Sequence, residues 1–223
     1  MLTSAVQRGM TLVETMISVT IGVVLLLGLT TFMAASLGSN VNATKLANLN
    51  QELRAIMTLM TRDIRRAGYW GSPAPYPTGA ITGVGFGSAY VNPFATINTA
   101  TAGCILYAYD KNNNATLDTD EKYGFLLSAG AVMMRTGSGA TWDCTTAAGN
   151  SLDNLSDAKN TNVTALTFTE TDSAAAYVTG SAGPNIKTRQ ITITITAQLV
   201  SDATVRQTLT ETVKLENDLF SPT

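Results

Sequence analysis

The stretch Arg8-Gly9-Met10-Thr11-Leu12-Val13-Glu14-Thr15-Met16-Ile17-Ser18-Val19-Thr20-Ile21-Gly22-Val23-Val24-Leu25-Leu26-Leu27-Gly28-Leu29-Thr30-Thr31-Phe32-Met33-Ala34-Ala35-Ser36 decides how the rest of the chain is read. A basic leader ends at Arg8-Gly9, one acid follows at Glu14, and no charged residue then occurs before Lys45. The run from Met16 to Met33 is almost wholly apolar. As a helix it is long enough to cross roughly 30 Å of hydrocarbon. A transmembrane segment is therefore expected over about residues 15–36. The nearest rival is a secretory signal peptide, for which Ala34, Ala35 and Ser36 would serve as the cleavage site. Glu14 interrupts the apolar entry and the helical pattern continues beyond the apolar run, and both features favour the span.

Glu14 is the informative residue. An unpaired carboxylate drawn to mid-membrane costs roughly 2 to 3 kcal/mol, so it calls for a partner. A cut between Gly9 and Met10 would create an α-amine four residues before Glu14. A carboxylate at a helix start is also favoured by the macrodipole. The ion pair closes either within one chain or between neighbours.

Working outward, 223 residues with 45% apolar content hold one domain-sized core plus an appended helix. The net charge of −2 gives no general basic footprint for duplex nucleic acid, so no direct nucleic-acid partner is expected. Charged residues are only 13%, about half the usual share, which suits burial in membrane or packing against other subunits. The absence of histidine removes the commonest general base, the commonest metal ligand and every Ser/His or Cys/His pair. No nucleophile and base pair is found, and the chain is expected not to be an enzyme.

Beyond the apolar run the periodicity persists in water-soluble form. Leu46, Leu49, Leu53, Ile56, Met57, Met60 and Ile64 recur at helical spacing, with Lys45, Asn48, Asn50, Glu52, Arg54 and Arg62 on other faces. One helix from Met10 to about Arg66 would be roughly 85 Å long. Arg65 and Arg66 complement the C-terminal dipole, Gly68 suits a left-handed cap, and Gly71 and Pro73 oppose continuation. Residues 72–103 carry no charge and read as a long connection, with a short strand around Ala80–Val84.

Ile105–Tyr109, Tyr123–Leu127 and Val132–Arg135 read as strands. Between the first two, Asp110, Asn112, Asn114, the Thr116 carbonyl, Asp118 and Glu121 take the oxygen positions of a twelve-residue calcium loop, with Leu117 at its eighth place. Ca2+ would be a structural cofactor there. Ala115 stands where glycine normally makes the sharp turn, and the flanks are strands where an EF-hand has helices, so an Asn/Asp-rich turn is the competing reading. Cys104 and Cys144 are an even pair, read as a disulfide in an oxidising compartment and alternatively as two buried thiols.

Val163–Thr169 resumes a strand pattern, and Tyr177 and Val178 lie in a Gly/Ser/Ala-rich loop. Ile191, Ile193, Ile195, Ala197 and Leu199 alternate with polar residues, as do Val205, Leu209, Val213 and Leu215, with Ser201–Thr204 as the turn. This hairpin has one face to bury, and the stripe from Leu46 to Ile64 is the surface available.

Gly9-Met10-Thr11-Leu12-Val13-Glu14 and the apolar helix after it resemble the class III leader of type IV prepilins and type II secretion pseudopilins. Met10 departs from the usual phenylalanine but is apolar and unbranched. The resemblance implies an α+β, type IV pilin-like fold, a long N-terminal helix packed on an antiparallel sheet. It also implies a prepilin peptidase that cuts after Gly9 and methylates Met10, with Glu14 in subunit registration. The run Arg62–Gly71 further resembles the helix exit of PilW-like minor pilins. The chain is thus expected to hold a leader (1–9), helix (10–68), connecting loop (69–103) and sheet head (104–223). It would stand in the bacterial inner membrane with the head in the periplasm before joining a pilus, as a minor pilin that primes assembly or forms the tip. Its partners would be other minor pilins, the major pilin and the inner-membrane assembly platform. The alternatives are a J-type pseudopilin and a membrane-anchored, calcium-stabilised adhesin or binding module.

Overall fold

The computed structural model describes residues 9–71, 92–136, 142–146, 151–177 and 185–221. The leader before Gly9, the strand expected at Ala80–Val84 and Val178 lie outside them. The chain divides into two units, Met1–Lys45 and Leu46–Thr223.

Helix α1 runs over Leu12–Ile64. In the first unit its large apolar side chains, among them Val19, Leu26 and Phe32, are exposed, and it is long and apolar enough to cross a membrane. The hydroxyls of Thr15, Ser18, Thr20, Thr30 and Thr31 donate to carbonyls three or four residues back. That satisfies the donors inside the helix, as a segment surrounded by hydrocarbon requires.

In the second unit the strands among the described residues form three antiparallel sheets. β1 (Cys104–Ala108), β2 (Lys122–Ser128), β3 (Ala131–Arg135) and β4 (Leu152–Asn154) make the first, in that order. β5 (Thr161–Asp172), β8 (Arg189–Leu199) and β9 (Arg206–Lys214) make the second, with β8 central. The short β6 (Ala176–Tyr177), β7 (Asn185–Lys187) and β10 (Leu219–Ser221) make the third. The fold is the expected α+β, pilin-like arrangement. Tyr177, read from sequence as loop, falls in β6 because its strand partner is β7, and two residues carry no period of their own.

One core joins the elements. Leu49, Leu53, Ile56, Met57, Met60 and Ile64 of α1 cluster with Ile105, Tyr107, Phe125 and Val132 of the first sheet and Val163, Leu166, Ile191, Ile193 and Ile195 of the second. The stripe begins later than the periodicity suggests, for Leu46 is 39% exposed. The opposite face of the second sheet carries cross-strand hydroxyl pairs, Thr192 with Thr212, Thr194 with Thr210 and Thr196 with Thr208, at 2.9–3.1 Å. Such pairs each contribute a few tenths of a kcal/mol, about what the cross-strand rule allows.

β1 is buried along its whole length because both faces are covered. Ile105 and Tyr107 face α1, whereas Cys104 and Leu106 join Leu126, Met133, Trp142, Cys144 and Leu152 in a second cluster on the far side. Cys104 and Cys144 are disulfide-bonded with 5.9 Å between Cα atoms, so the 142–146 segment is tied down over that second face. Close cross-strand approach explains Gly124, where a Cβ would stand 2.7 Å from the Ile105 carbonyl oxygen.

Candidate functional site

The segment expected to be processed precedes α1. Gly9, Met10 and Thr11 are non-helical, and Met10 is 66% exposed. The helix begins at Leu12, two residues after the start expected at Met10. The cause is Thr11: its carbonyl accepts the Thr15 N–H at 3.2 Å, and its Oγ1 accepts the Glu14 N–H at 3.3 Å. Thr11 is thus the N-cap and Glu14 the third helical residue, in the first turn, where a carboxylate complements the exposed N–H groups. The signal was present in the sequence, since Thr-x-x-Glu is the spacing of a capping box.

At the other end α1 stops at Ile64 and a turn runs to Gly68, whose φ of +78° is the left-handed conformation anticipated there. The last carbonyls of α1 are met locally, those of Thr61, Asp63 and Ile64 by the N–H groups of Arg65, Arg66 and Ala67, whereas the carbonyls of the turn itself are met from distant segments. The Glu216 N–H donates to the Arg65 carbonyl at 3.0 Å, Asn217 Nδ2 donates to the Arg66 and Ala67 carbonyls, and Asn92 Nδ2 donates to the Gly68 carbonyl at 2.8 Å. Buried Arg189 donates from Nη1 to the Ala95 carbonyl and lies 3.9 Å from Glu170. Burial lowers its pKa, and Glu170 opposes that shift. Asp63 accepts hydrogen bonds from the Tyr107 and Tyr109 hydroxyls, and Arg66 sits 4.0 Å above the Tyr109 ring. Burial, and after it the Asp63 charge, raises the Tyr107 pKa well above its ordinary value. Arg66 therefore has a packing role beyond the dipole. None of these long-range caps is visible in local sequence.

The Asp110–Glu121 loop links β1 to β2. Ala115 does adopt a left-handed φ of 61°, as does Asn113. Asp110 is buried and accepts the N–H groups of Gly71, Asn114 and Ala115. Glu121 is fully buried and accepts those of Lys111, Asn112 and Asp118. Asp118 Oδ2 accepts the side-chain amides of Asn112 and Asn114, whose own oxygens take the N–H groups of Asn114 and Thr116. All the predicted ligand residues are thus in one loop, but the side-chain oxygens of Asp110, Asn112, Asn114, Asp118 and Glu121 are turned to N–H donors, and Thr116 enters these bonds through its N–H. Among the described residues no three Asp, Glu, His or Cys side chains converge to hold a metal.

Two family models match the chain. Residues 42–215 match the family described as prepilin peptidase-dependent protein B. Residues 4–30, which include Gly9, Met10 and Glu14, match the prokaryotic N-terminal methylation motif. No curated protein and no solved structure matches the chain.

Proposed function

Since the chain belongs to the prepilin peptidase-dependent protein B family, we propose that it is a minor pilin of the PilW-like kind that primes type IV pilus assembly or forms its tip complex. The observation that carries this is one helix with two kinds of surface. Its leader end bears the methylation motif and exposes a bilayer-length apolar run, while its other half is the core of a sheet head. Such a helix exchanges lipid for the helices of other pilins without disturbing the head. Hydrolysis after Gly9 frees the Met10 amine, methylation keeps it a cation, and Glu14 of a neighbouring copy or pilin meets it. The inner membrane is the waiting place, the head is periplasmic, and the major pilin, other minor pilins and the assembly platform are the partners.

Intact mass of the membrane-extracted chain tests this. The expected product has lost residues 1–9 and gained one methyl group. A chain that stays uncut beside an active prepilin peptidase would sink the reading. If the processed chain assembles with secretion pseudopilins and fails to enter pili, the J-type assignment replaces the minor pilin.

A structural calcium ion in the Asp110–Glu121 loop is a second part of the proposal. Its support is the ligand spacing and the left-handed Ala115, the sixth position of such loops. Binding requires the Asn112 and Asn114 amides to turn their carbonyl oxygens inward, so that Asp118 exchanges two N–H donors for the ion. The melting temperature should rise in millimolar calcium relative to chelator, and Asp118→Ala should abolish the rise. Identical melting in calcium and chelator rejects the ion.

A further inference from the structure

We infer that Thr11 is a positioning residue for the cut: its side chain marks where α1 begins and so keeps the Gly9–Met10 peptide outside the helix, an inference that rests on the prepilin reading above. Hydrolysis adds one water across that peptide, leaving a carboxylate on Gly9 and an amine on Met10. The peptidase must reach the Gly9 carbonyl carbon. A peptide inside a helical turn is hydrogen-bonded and wrapped by side chains, whereas exposed irregular segments are where chains are cut.

The geometry leaves the scissile peptide bare. Among the described residues, its chain neighbours aside, no atom lies within 4 Å of where a Gly9 Cβ would stand, and Met10 is largely exposed. Every residue from Leu12 to Ile64 is helical. The boundary between these states is the Thr11 cap, with its side chain on the Glu14 N–H and its carbonyl on the Thr15 N–H. The Thr11-x-x-Glu14 spacing favours the same boundary, because the Glu14 carboxylate belongs at the third helical position.

Thr11 decides the matter because of what lies upstream. Alanine is the poorest of caps and the best of helix interiors, and the next residue upstream able to cap is Gly9, which ranks close to threonine. Thr11→Ala therefore moves the helix start to Gly9, whose carbonyl, the one the peptidase must reach, then accepts the first intrahelical hydrogen bond. Serine and asparagine cap as well as threonine or better, and leave the boundary in place.

The test uses the full chain in membranes with prepilin peptidase, following cleavage over time by intact mass. Thr11→Ala should be cut roughly threefold to thirtyfold more slowly than the parent, the range of a lost cap. Thr11→Ser and Thr11→Asn should stay within about twofold of the parent, since both retain a capping oxygen. Equal rates for parent and Thr11→Ala overturn the inference. So does equal slowing of all three variants, which would mean that the enzyme reads threonine itself. A parent that is never cut removes the prepilin reading, and the inference with it, and is told apart from these by the parent lane alone.

Discussion

A Cys104→Ser, Cys144→Ser chain is expected to lose about 4 kcal/mol of head stability, the chain-entropy value for opening a loop of the observed sequence separation of 40. The bond does more than shorten the unfolded chain. It pins the 142–146 segment over Leu106, Leu126 and Met133, so that β1 is covered on its outer face. Trp142 adds to the cover by donating from Nε1 to the Tyr123 carbonyl at 3.1 Å. Without the bond, the segment keeps non-covalent ties, among them the Trp142 hydrogen bond and the Lys122 ammonium 5.9 Å from the Trp142 ring. Denaturant unfolding of the detergent-extracted chain, followed by tryptophan fluorescence, should show the midpoint falling, and a reductant should have the same effect on the parent. An unchanged midpoint in the double variant would mean that the second cluster holds without its covalent tie. The loss would be felt in a stability that for a domain is only about 5 to 15 kcal/mol in all.

Leu53→Ala should cost 2 to 5 kcal/mol, roughly the range for truncating a buried leucine, whereas Leu46→Ala should cost under about 1. The two leucines look alike in the sequence, seven residues apart on the same periodic stripe. In the structure Leu53 is wholly buried in the cluster shared by both sheets, whereas Leu46 is 39% exposed and outside that cluster. The removed side chain leaves a cavity only where neighbours surround it, so the comparison measures where the head begins on the helix. The same unfolding experiment reads both. Equal losses would place Leu46 in the core and move the boundary of the head toward the N-terminus.

Much of this was legible because it is local or periodic. Gly9, Met10 and Glu14 lie within six residues of one another, and the methylation motif covers them. The alternation of Ile191, Ile193 and Ile195 specifies one buried face whatever covers it, and β8 shows that face against α1. Gly68 announced a left-handed turn by being a glycine near a helix end, and the even cysteine pair announced a bond. The cap at Thr11 was equally local, a matter of recognising a spacing. The Asp110–Glu121 loop illustrates the opposite case. Spacing lists which oxygens share a loop, but the way each amide faces follows from competition with backbone N–H groups that only the folded loop brings near.

Period, charge and cysteine number act over short stretches or by simple count, and from them alone follow a membrane-length helix with a leader motif, its amphipathic continuation and a β-rich head with a cysteine pair able to bond. Only the folded chain settles that the stripe is buried from Leu49 onward, that β1 is covered on both faces, and that Asn92, Glu216 and Asn217 hold the turn after α1. Those outcomes depend on which distant segments arrive at the same place, and a buried carbonyl accepts whatever donor the completed fold delivers.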